Sequence, residues 1–143
     1  MEKLKEIIAS RRYMFLGVGN RDRGDDGIGS IIVSKLETRD KLDCGPVPEN
    51  FTGKIRAADP EAIIIIDAVD FGGKPGESML TEAEKAQGVV LSTHALPLSM
   101  FCKLFPKSKV YLLGIQPQSF TEMTREVKEA GERLVAEIDP LLK

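Results

Sequence analysis

The sequence predicts an α/β protein, a single domain over residues 1–143 with a twisted, mostly parallel sheet and helices on both faces. Three observations lead there. Short apolar runs rich in isoleucine and valine alternate with segments whose apolar residues recur at helical spacing. The run Ala62 to Ile66 ends in four consecutive isoleucines and has no polar side, as a central parallel strand requires. A chain of 143 residues, 42% hydrophobic and 29% charged, suits one self-sufficient core.

Taken in order, Glu2 to Arg11 carries Leu4, Ile7 and Ile8 at helical spacing and predicts a surface helix. Tyr13 to Leu16 reads as a buried strand that breaks at Gly17-Val18-Gly19-Asn20. A polar loop to Asp26 follows, then a helix with Ile28, Ile31, Ile32 and Leu36 on one face, fading near Thr38 to Lys41. Asp25 or Asp26 is placed to cap that helix. Leu42 to Val47 is a weak strand, and Phe51 to Ala57 a short helix ended by Asp59-Pro60. Ser78 to Thr81 is an edge strand, and Glu82 to Gln87 is polar and helical in pattern. Ala95 to Leu104 is helical, with Pro97 tolerated in the first turn. Lys109 to Ile115 is a strand, and Thr121 to Ile138 a strongly amphipathic helix.

Composition narrows the function classes. A net charge of −2 and the absence of Trp give no footing for a nucleic-acid partner. The longest aliphatic run is far too short to span a bilayer, and the charged N-terminus has no signal-peptide pattern, so a cytoplasmic protein without membrane insertion is expected. Cys44 and Cys102 lack the paired spacing of a zinc site. Gly17-x-Gly19 is followed by Gly24, which meets neither the dinucleotide fingerprint nor Walker A, and two carboxylates at the helix entrance would repel phosphate.

The candidate chemistry lies where strands end. Right-handed crossovers put the ends of the first strand and of the isoleucine strand on one rim, which would carry Asp26 and Asp67. If the loop of His94, the only histidine, reaches that rim, two carboxylates and one imidazole converge. Such a set suits a borderline divalent ion with open positions. Two aspartates alone would instead make a proton-sharing acid pair. Serine or cysteine catalysis is weaker: Ser92 and Thr93 neighbour His94 only in sequence, and neither cysteine has an activating signature.

Five blocks in order are more specific than any one of them. GVGNRDRGDDGIG, VPEN at Val47 to Asn50, IIIIDAVDFGGKPGE at Ile63 to Glu77, STHALPLS at Ser92 to Ser99 and LLGIQP at Leu112 to Pro117 together resemble the hydrogenase maturation endopeptidases. The resemblance implies a twisted α/β sheet flanked by helices. It implies removal of a C-terminal extension from the large-subunit precursor of a nickel–iron hydrogenase after nickel insertion. It also implies that Asp26, Asp67 and His94 form the nickel-binding, catalytic site, with the nickel delivered inside the precursor.

On that basis the expected function is a proteolytic checkpoint gated by nickel. Asp25 is expected as a cap or a supporting partner, Gly17, Gly19 and Gly27 as room for the substrate backbone, and Glu49 and Asn50 as lining of the cleft. The alternatives are a metal-independent aspartic-type hydrolase using Asp26 and Asp67, and a nickel-site chaperone that binds the precursor without cutting it.

Overall fold

The computed structural model describes residues 1–9, 11–86, 88–89, 91–92 and 97–142. Among them the elements run α1 (Glu2–Ile8), β1 (Tyr13–Val18), α2 (Ile28–Lys35), β2 (Lys41–Gly45), α3 (Thr52–Ala58), β3 (Ala62–Ala68), β4 (Ser78–Glu82), α4 (Leu98–Leu104), β5 (Lys109–Ile115) and α5 (Arg125–Ile138). The sheet order is β2-β1-β3-β5-β4. The first four of these strands are parallel, and β4 runs antiparallel along the β5 edge.

The isoleucine strand is the centre of the molecule. Every residue of β3 is buried, and its alternating side chains feed two separate cores. Ile64 and Ile66 point to one face and pack with α1, α2 and α5. Ile63 and Ile65 point to the other and pack with Ile55 of α3 and with Leu98 and Phe101 of α4. Each buried isoleucine contributes about 2 kcal/mol of transfer free energy, so β3 anchors both layers at once. The expected arrangement of helices on both faces is the one observed.

Several boundaries differ from the sequence expectation for identifiable reasons. β1 continues to Val18, because Gly17 pairs with both Ile66 and Asp43 and so stays in the ladder. α1 stops at Ile8, whose successor Ala9 is extended. α2 stops at Lys35, where Leu36 turns extended and buries against the core. α4 begins only at Leu98, with Pro97 outside the first turn; Ala95 and Leu96 lie outside the described residues. Met123 fits the apolar stripe of the last helix, yet α5 starts at Arg125. The residues ahead of it are drawn into bonds with Asp25. β4 is an edge strand, as expected. Among the described residues no helix is long and apolar enough to cross a membrane.

Candidate active site

The parallel register brings the C-terminal ends of β1 and β3 to one rim, with Gly17 beside Ile66. Asp67 follows at once, fully buried at the end of β3. The 3-10 turn Gly24–Gly27 leads directly into α2 and carries both Asp25 and Asp26, buried as well. The turn lies against the strand ends because Gly29 has no side chain. A Cβ there would come within 2.0 Å of the Ile66 carbonyl and 2.5 Å of the Val18 carbonyl. The three other glycines do similar work. A Cβ on Gly17 would strike Val33, on Gly19 the Asp26 carbonyl, and on Gly27 the Arg21 backbone. Their Cβ positions are filled by the chain's own segments, where the sequence suggested room for a substrate backbone.

Both Asp67 oxygens are engaged. Oδ1 accepts from the Ala68 amide at 2.8 Å and the Ser92 hydroxyl at 2.6 Å. Oδ2 accepts from the Ser92 amide at 2.7 Å. Oδ2 therefore keeps one open position, for a proton or a further partner. Burial dominates its titration and pushes the carboxyl up to about 8, against the lowering bonds from Ser92 and Ala68. The charge of Asp26 raises it further, which marks the two acids as electrostatic neighbours. At neutral pH Asp67 is thus mostly protonated.

Asp26 opens onto a cavity of about 470 Å³. Arg23, Asp70 and Ser92 share its polar lining, and Val69, Val89, Pro117 and Phe120 its apolar lining. The Arg23 guanidinium stands 3.5 Å from Asp26 Oδ2 and 5.9 Å above the Phe120 ring. Asp70 projects into solvent, and hydrogen bonds from Gln116 and Gly72 hold its carboxyl below the usual range. Gln116 also accepts from the Phe71 and Gly73 amides through Oε1, fixing the turn that carries Asp70.

Asp25 behaves quite differently from its neighbour. Neither the 3-10 turn nor α2 has a side-chain cap, so the expected capping by Asp25 or Asp26 is not made. Asp25 turns away from the helix and accepts from the amides of Gln118, Ser119 and Thr124 and from the Thr124 hydroxyl, at 2.7 to 3.0 Å.

Of the expected ligands, Asp26 and Asp67 are electrostatic neighbours, whereas His94 lies outside the described residues. Among the described residues no group of three His, Cys, Asp or Glu side chains is placed to hold a metal. Glu49 and Asn50 are not among the described lining residues of the cavity. Sequence reasoning missed the Ser92 clamp, although its place two residues before His94 on the same block was a usable signal. Cys44 and Cys102 are free thiols, and burial pushes Cys44 up to about 12, leaving it inert.

Comparison with known proteins gives this rim a lineage. A protein-family model described as hydrogenase maturation protease, HycI, matches residues 32–140. The hydrogenase 3 maturation protease of Escherichia coli K12 is 31% identical, over 88% of this chain and 88% of its own. In structure, a NiFe hydrogenase maturation protease HycI from Thermococcus kodakarensis KOD1 superposes with a TM-score of 0.82 at 34% identity, covering 98% of both chains. The endopeptidase HycI from Escherichia coli does so with a TM-score of 0.79 at 30% identity, covering 90% of both. The acids at the strand ends, the five-stranded sheet and the matched length agree: the chain belongs to the hydrogenase maturation protease family.

Proposed function

We propose that this peptidase removes the C-terminal extension from the large-subunit precursor of a nickel–iron hydrogenase, with Asp26 and Asp67 as its working acids and nickel, carried in by the precursor, as the recognition element. The observation that carries the reading is the electrostatic pairing of two buried carboxylates from separate elements, Asp26 lining the cavity and Asp67 buried behind it at the end of β3. Family membership supports the peptidase activity itself.

The donor set fits an arriving cation. Asp67 has one open position, on Oδ2, where an arriving cation can displace the proton; Asp26 supplies a second carboxylate. His94 is assigned as the third ligand from the sequence. Bound there, nickel would hold the precursor with its scissile segment over the cavity. The chain's own part is to keep Asp67 oriented through Ser92 and to present Asp26 at the opening.

A second, metal-independent reading is favoured by one observation, the raised titration of Asp67 beside Asp26. Two coupled acids sharing a proton allow one to accept from the attacking water and the other to donate to the leaving amine. Intact-mass measurement on nickel-loaded and nickel-free precursor separates the readings. Tail loss from the loaded form alone is expected. Equal loss from both, insensitive to chelation, would establish the metal-free acid pair. Retention of the tail in both would leave only a binding role.

A further inference from the structure

The apolar lining of the Asp26 cavity has no part in the chemistry above. Phe120 is 50% exposed, one of the few large apolar side chains so open among the described residues, and it lies in the same cavity as Asp26. An exposed ring on a surface loop is ordinary. This ring is mounted on a loop held by a fully buried carboxylate, since Asp25 takes four hydrogen bonds from Gln118, Ser119 and Thr124. The Asp25 amide adds a fifth tie, donating to the Ser119 carbonyl at 2.9 Å. Gly24 lets the loop press closer, for a Cβ there would meet the Glu122 backbone at 2.5 Å. Residues 93 to 99 positions apart thus fix the shelf relative to the turn that carries Asp26.

Charge decides what the shelf can receive. Arg23 covers the ring at 5.9 Å while reaching Asp26, so a basic side chain would meet like charge. Asp26 and Asp70 on the same cavity disfavour an acidic one. Val69, Val89 and Pro117 complete an apolar lining. We propose that the Pro117–Phe120 shelf, held in place by Asp25, is a specificity subsite that receives an apolar side chain of the precursor beside the bond to be cut. The inference rests on the peptidase reading above. Phe120 is the selecting contact; Asp25 is a positioning residue that acts through it.

The test is steady-state cleavage of the nickel-loaded large-subunit precursor, followed by intact mass. Phe120→Ala is expected to raise KM about tenfold, as loss of a ring's burial would, with kcat within about twofold. Phe120→Leu should recover most of the loss. Asp25→Asn should raise KM in the wild-type background but by less than about twofold when Phe120→Ala is already present. An unchanged KM in Phe120→Ala, or a fall in kcat alone, overturns the subsite. Failure of Phe120→Leu to recover would overturn the apolar occupant in favour of the Arg23 contact. Full additivity with Asp25→Asn overturns the positioning role. If the wild-type chain binds precursor without cutting, the peptidase reading falls and the same variants judge the shelf through Kd. Absence of both binding and cutting overturns the two together.

Discussion

Asp25 and Asp26 are neighbours in one 3-10 turn, equally out of solvent, and they are used in opposite ways. Asp25 faces inward to a distant loop and is saturated by four donors from it. Asp26 faces a cavity and sits beside the exposed guanidinium of Arg23 and a second acid. Successive residues on a 3-10 turn point about 120° apart, so a doubled acid can serve structure and chemistry from one short segment. The block GDDG divides accordingly: Gly24 and Asp25 seat the loop, and Asp26 meets the cavity.

The comparison can be broken by substitution. Asp26→Asn should lower kcat for precursor cleavage by about two to four orders of magnitude while leaving thermal unfolding nearly unchanged. A milder loss than that of Asp25→Asn would reverse the assignment of the pair.

Asp67 sharpens it through pH. Unfolded, its carboxyl loses the proton near 3.8; folded, it keeps the proton to about 8. Across that window the folded state binds more protons, so stability falls as pH rises, by up to ~1.4 kcal/mol per pH unit. Below 3.8 its contribution is fully present, and above about 8 it is lost. Urea titrations from pH 4 to 8 should show this slope in the wild type and its loss in Asp67→Asn; matching slopes would mean the acid is ionised when folded.

Asp25→Asn should cost about 1–3 kcal/mol in urea unfolding, because an amide NH2 would be turned toward buried donors. Its kcat should stay close to that of the wild type. Smallest of all, Thr124→Val removes one of the four donors and should cost about 1 kcal/mol with cleavage unchanged. A large kinetic effect from Thr124→Val would show that the loop, and not Asp26, governs turnover.

Much of this was readable before any coordinates. Four isoleucines in a row have only one comfortable place in an α/β domain, and Asp67 follows them by necessity onto the rim. Periodicity is local and carries such features well. It carries nothing about partners 93 to 99 positions away, which is why Asp25 looked like a helix cap. The same blindness extended α5 back through Met123, where the backbone is diverted to meet Asp25. Ser92 was weighed only as a nucleophile, yet its hydroxyl and amide both orient Asp67. Glycines were read as space for a guest, when a Cβ on any of them would strike other parts of the same chain.

The bare Cα of Gly29 against the Ile66 carbonyl has a further meaning. A single added methyl would act as a wedge, driving the start of α2 away from the strand tips and parting the acids it helps to hold together. The spacing between the turn and the strand tips is therefore set by hydrogen standing where carbon would otherwise be, and under the proposed mechanism alanine at that position would lower cleavage while leaving both acids in the sequence.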